Sequence, residues 1–180
     1  IGWSAGGMRI GGYTALHPEK VDKLVMYAPA YSSTKGDYKI GEPARGPAFR
    51  LQSWEPFMLK WKAGLERGSQ YNDMIEPGIM EIAWQACLAE YQVGATWGPG
   101  TNRIPGLTRS EWGTDFPEVA AKIKAPTLII HGAQDHIIPH VKALYPELVG
   151  VDDLALVRVE AADHFMIWET RRYTLFESAE

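Results

Sequence analysis

Cysteine is almost missing from this chain of 180 residues: Cys87 is the one example. That excludes an internal disulfide and a cysteine-rich zinc site, and it leaves the compartment open. Charge of one sign is missing too, since 18 Lys and Arg face 22 Asp and Glu for a formal net charge of -4. Acids and bases are interspersed with no basic run, so there is no electrostatic footprint for a polyanion and no nucleic-acid partner is expected. Long hydrophobic runs are absent as well. The run Thr127-Leu-Ile-Ile130 falls far short of the roughly 18 apolar residues that cross a bilayer, and no membrane partner is expected. There are no internal repeats or low-complexity tracts. What is present is ordinary globular composition, 46% hydrophobic and 22% charged, in a length that suits one core.

The first thirty residues carry a pattern. Residues 7 to 17, GMRIGGYTALH, space Met8, Tyr13 and Leu16 among small residues before His17-Pro18 ends the run. This predicts a helix whose glycines allow close approach to a flat surface. Lys23-Leu-Val-Met-Tyr-Ala28 is a short apolar run ended by Pro29, as expected of a buried strand in a parallel sheet. Strand end, turn, helix and strand make a βαβ unit.

From Tyr31 to about Asp115 the texture changes, with Gly41-Glu-Pro43, Gly46-Pro47, Gly98-Pro-Gly100 and Pro105-Gly106 interrupting helix-like pieces at 55–66 and 77–92. Five of the seven tryptophans, Trp54, Trp61, Trp84, Trp97 and Trp112, fall there. Beyond it the rhythm resumes: a helix-like 116–123, a strand 127–131, a helix from Pro139, a strand 154–159 and a helix from about Phe165. Alternating strands and helices imply a parallel sheet with helices on its faces. The middle segment reads as an insertion between two of its strands, because a structureless connection of that length is improbable in a compact domain.

Gly2-Trp3-Ser4-Ala5-Gly6 fits G-x-S-x-G in a strand-turn-helix setting that holds a serine on a sharp turn. Glycines two residues to either side are expected because the turn leaves no room for Cβ atoms. A serine hydroxyl needs a base to take its proton and a carboxylate to orient that base. Strand 127–131 ends in a turn carrying Asp135, and strand 154–159 ends in a turn carrying His164, which is where such partners are required. A glycine-rich turn with an incidental serine is the plain alternative for the motif alone.

On the stretches GWSAGG, HPEKVDKLVMYAPA, APTLIIHGAQDHIIP and ADHFMIWE the sequence resembles the α/β-hydrolase superfamily. The resemblance implies the C-terminal half of an α/β-hydrolase parallel sheet, with helices on both faces and a mainly helical cap at 31–115. Residues 1–30 and 116–180 form the partial core. It implies Ser4 as nucleophile, Asp135 as acid, His164 as base and the Ala5 backbone amide as an oxyanion-hole donor, with Trp3, Tyr31 and Trp84 as substrate contacts. No cofactor and no metal are implied. The activity implied is hydrolysis of an ester, amide or thioester of a small, apolar acyl substrate. An acyltransferase, a carbon-carbon bond hydrolase or a non-catalytic binder of the same fold are the alternatives.

In some members the acid follows the preceding strand, but that place reads Tyr27-Ala-Pro-Ala30, which favours Asp135. His131, His136 and His140 gather near Asp135, and the simpler account makes them strand-end, loop and helix residues instead of metal ligands. Asp163 stands where the family often has glycine; it either caps a helix from Phe165 or raises the pKa of His164. Since the nucleophile strand would be the fifth of eight, an N-terminal half of the same protein, either a separate companion chain or a part that this sequence leaves out, is expected to complete the sheet.

Overall fold

The structure, a computed structural model, describes residues 1–31, 49–65, 74–90, 96, 100–105 and 120–180. Its main sheet has four parallel strands, β1 (Gly2–Trp3), β2 (Leu24–Tyr27), β5 (Thr127–Gly132) and β6 (Leu154–Val159), side by side in that order. Every strand of the sheet runs the same way, so each must be reached by a crossover, and helices supply these. Helix α1 (Ala5–Leu16) joins β1 to β2 and packs on both, α4 (Ile138–Leu144) joins β5 to β6, and α5 (Arg172–Ala179) packs on β5 and β6 after the last strand.

The apolar runs in β2 and β5 are buried almost throughout, as strands covered on both faces must be. Met26, Ile129 and Ile130 are fully buried at the centre of the core with Met8, Val141, Leu144 and Met166. Each such side chain contributes about 1.5–3 kcal/mol by leaving water. By contrast β6 lies at the edge, and Ala155, Leu156 and Arg158 on it are exposed.

Helix α1 lies where expected. Gly7, Met8, Gly11, Thr14 and Ala15 are buried, a stripe of positions three, four, seven and eight apart. Tyr13 and Leu16 are exposed, because Tyr13 lies about 140° around the helix from Met8. The Tyr13 ring lies against that of His17, tilted by 44°, and the His17 N–H closes the helix on the Tyr13 carbonyl before Pro18.

Between β2 and β5 the chain forms α2 (Trp54–Leu65), α3 (Ile79–Glu90) and a two-stranded antiparallel ladder, β3 (Phe49–Gln52) with β4 (Asn102–Pro105). The ladder was not anticipated from sequence. Phe57, Trp61, Leu65, Met74, Met80 and Trp84 form a second core, against which Phe165 and Trp168 of the main unit pack. A backbone bond from Thr170 N–H to the Met74 carbonyl and an ion pair between Arg172 and Glu76 tie the same two parts. Trp97 and Trp112, and 116–119 of the expected helix, lie outside the described residues; 120–122 form a 3-10 turn.

Candidate active site

Ser4 is the one residue between β1 and α1, with φ 54 and ψ -122. A side-chain-bearing residue held there costs about 1–3 kcal/mol, so the surroundings must impose it. Its N–H donates to the Tyr27 carbonyl at 3.0 Å, and its own carbonyl accepts from the N–H groups of Gly7 and Ala30 at 2.9 and 3.0 Å. Crowding at the turn falls on Gly2, where a Cβ would come within 2.6 Å of the Gly6 carbonyl oxygen. At Gly6 a Cβ would meet nothing within 4 Å, so only one of the two flanking glycines is required for space. Ala5 opens α1, and its N–H is among the first four of the helix, which have no intrahelical acceptor.

Asp135 and His164 come together from the turns after β5 and β6. His164 Nδ1 lies 3.0 Å from Asp135 Oδ2 and 3.2 Å from Oδ1. Both residues are buried, and Asp135 Oδ1 also accepts the Ile137 N–H at 2.9 Å. The carboxylate thereby holds the histidine proton on Nδ1 and leaves Nε2 as the basic nitrogen. Two further links fix the turns to each other. Gln134 N–H donates to the Ala162 carbonyl, and Ala162 N–H donates to Gln134 Oε1, both at 3.0 Å. A Cβ on Gly132 would sit 2.6 Å from the Ala162 carbonyl carbon, so glycine there permits the approach.

The backbone of His164 is clamped from the side of the sheet that carries Ser4. Its carbonyl accepts from Tyr27 Oη at 2.7 Å and from Trp3 Nε1 at 3.0 Å. Burial raises the Tyr27 pKa well above its ordinary value, which keeps the phenol a donor. The Trp3 ring lies 5.5 Å from the His164 ring, so the residue next to Ser4 touches His164. Among the described residues no hydrogen bond joins Ser4 Oγ to His164.

Asp163 does not cap a helix. The segment after His164 is a 3-10 turn, Met166–Trp168, with Phe165 at its start and no side-chain cap, and α5 begins only at Arg172. The left-handed residue of this turn is Ala161, at φ 50. Asp163 is fully buried and its N–H donates to Glu169 Oε2 at 2.9 Å. Glu169, also fully buried, accepts from Trp61 Nε1 through Oε1 at 3.3 Å. Burial pushes its carboxyl up to about 8, against the opposing effect of the Asp163 N–H. Tyr27 and Glu169 were not anticipated from sequence. The available signals were a hydroxyl inside an otherwise aliphatic strand and an acid ending the aromatic run FMIWE.

Of the other expected contacts, Tyr31 and Trp84 are buried core side chains. Tyr31 offers its N–H to His140 Nδ1 at 3.0 Å, and Trp84 packs on Phe57 and Trp54. His131 is buried with Nδ1 on the Gly132 carbonyl. His136 is exposed and sits 3.3 Å from Asp135 Oδ1. A cavity of about 610 Å³ between α4 and β6, lined by Val141, Tyr145 and Leu156 among others, includes none of Ser4, Asp135 and His164.

A serine on a forced turn after β1, with a buried carboxylate-histidine pair after β5 and β6 of the same parallel sheet, is a recurrent arrangement. Over residues 1–170 the sequence matches the model of the alpha/beta hydrolase fold. The chain belongs to that family. Among solved structures this α/β-hydrolase is similar to a monoacylglycerol lipase of Paleococcus ferrophilus, at 20% identity and TM-score 0.56, over 99% of this chain and 64% of that one. It is also similar to a serine hydrolase involved in carbazole degradation, at 18% identity and TM-score 0.55, over 99% and 60%. A peroxisomal alpha-beta-hydrolase of Saccharomyces cerevisiae gives 13% and 0.52, over 99% and 50%. At such identities the likeness is one of fold, and the chain spans less than two thirds of these relatives' length. Comparison with curated proteins gave no match.

Proposed function

We propose that the protein is a serine hydrolase that cleaves an ester, amide or thioester of a small, apolar acyl substrate through an acyl-enzyme. The observation that carries this reading is the Asp135–His164 pair, 3.0 Å apart and buried, delivered beside the turn that holds Ser4. Ser4 Oγ attacks the acyl carbon while His164 Nε2 takes its proton, and Asp135 stabilises the imidazolium so formed. The Ala5 N–H, at the positive end of α1, faces the charge that develops on the carbonyl oxygen. His164 then gives its proton to the leaving group, and water, activated by the same nitrogen, releases the acid. Bonds between nucleophile and base are often long in a free enzyme and tighten on the substrate.

Residues 31–115 act as the cap over this site in the same reading. Its aromatic core meets the histidine turn through Trp61, Phe165 and Trp168, and Trp3, half-buried against His164, is the substrate contact nearest the base. Such an apolar surround favours an apolar acyl or leaving group. Turnover of short-chain p-nitrophenyl esters tests the proposal. Ser4→Ala is expected to lower kcat by about 10⁴-fold or more, and an unchanged kcat contradicts the mechanism.

A further inference from the structure

The base of this site has a second possible occupant beside it. Asp135, His136 and His164 each offer a ligand atom, and these atoms all lie within 4.8 Å of one another. We propose that the three residues form a divalent-cation site, best fitted by Zn²⁺, and that filling it switches the base off.

Geometry favours zinc. Tetrahedral Zn²⁺ with bonds of about 2.0–2.1 Å to nitrogen and oxygen sets neighbouring ligand atoms about 3.3 Å apart. His136 Nδ1 and His164 Nδ1 lie 3.3 and 3.2 Å from the same oxygen, Asp135 Oδ1. Two edges of the tetrahedron are therefore already at length. The third closes by turning His136, whose ring centroid is 4.8 Å from that of His164. Imidazole and carboxylate donors suit this ion, and a water completes the set.

Burial divides the labour. The Asp135 and His164 side chains are 0% and 9% exposed, whereas that of His136 is 51% exposed. Two ligands are thus fixed in advance and the third opens on solvent, which gives an ion its way in. Outer partners hold the fixed pair: Ile137 N–H on the carboxylate, and Tyr27 and Trp3 on the His164 carbonyl.

The chemical consequence follows from the two ring nitrogens of His164. An ion on Nδ1 takes the lone pair there, so the one ring proton of neutral imidazole moves to Nε2, which can no longer accept from Ser4. An ion on Nε2 occupies the accepting lone pair directly. Inhibition, though not binding, rests on the serine hydrolase reading.

The test uses protein freed of metal with a chelator and desalted, titrated with Zn²⁺ against a chromophoric chelator while p-nitrophenyl acetate turnover is followed in parallel. One ion per chain at micromolar affinity, with turnover falling in step with occupancy, is the expected result. His136→Ala is expected to weaken binding and shift the half-inhibiting concentration together, by tenfold or more. His17→Ala and Cys87→Ser serve as controls that leave both constants in place. No binding up to about 1 mM, or binding and inhibition unaltered in His136→Ala, overturns the site. Binding that depends on His136 in a protein that turns over no ester supports the site and removes the hydrolase reading. Robust turnover with no response to Zn²⁺ does the reverse.

Discussion

Glu169→Gln should change how stability depends on pH. The wild-type carboxyl is fully buried and raised from an ordinary 4.5 to about 8, chiefly by burial. The Asp163 and Asp135 carboxylates add to the rise, against the N–H groups of Asp163 and Trp61. The folded chain therefore keeps a proton on Glu169 that the unfolded chain releases above about 4.5. Unfolding then gains free energy with rising pH: stability is complete below about 4.5, falls by as much as about 1.4 kcal/mol per pH unit, and is level beyond about 8. Across that window the loss approaches about 5 kcal/mol. Glutamine cannot ionise, but it can accept only one of the two N–H bonds well, because its amide nitrogen faces the other donor. At pH 5 the variant should be less stable than wild type by about 1–3 kcal/mol. Near pH 9 the gap should close or reverse. Urea unfolding followed by tryptophan fluorescence at five pH values measures both curves. Parallel curves would refute the argument, since they would mean that Glu169 is ionised in the folded chain throughout.

Three further outcomes follow from the same geometry. Tyr27→Phe removes the donor to the His164 carbonyl and leaves the Ile167 N–H, now 3.2 Å from the hydroxyl, without its acceptor. It should cost about 1–3 kcal/mol in denaturant unfolding and lower kcat more than it raises KM. Gly132→Ala puts a methyl against the Ala162 carbonyl, backbone that cannot yield, and should cost about 1–3 kcal/mol or more while separating Asp135 from His164. Gly6→Ala meets open space and should be neutral or stabilising by about 0.5–1 kcal/mol; thermal melts of the two alanine variants side by side check the contrast.

How far the sequence carried the fold depends on the kind of signal. The buried strands β2 and β5 were legible because a strand covered on both faces must be apolar throughout, and Leu24–Tyr27 and Thr127–Ile130 are. Asp135 and His164 were placed by the rule that functional residues sit just past strand ends, and the structure pairs them. The ladder of Phe49–Gln52 with Asn102–Pro105 was not legible. Each strand has four residues, too few to show alternation, and the partners lie far apart in sequence. The run Phe165-Met-Ile-Trp168 looks helical by composition. It ends after one 3-10 turn because Glu169, extended at φ -89 and ψ 173, turns inward to the Asp163 and Trp61 donors. That is a tertiary demand no local pattern announces.

The most direct test of the central claim is the intact mass of the protein after treatment with a fluorophosphonate, which reacts with activated serines, followed by peptide mapping. One adduct on Ser4, lost in Ser4→Ala and slowed by orders of magnitude in His164→Ala, is the predicted result. An unlabelled chain, or labelling at Ser4 that is indifferent to His164, would contradict a nucleophile activated by the Asp135–His164 pair.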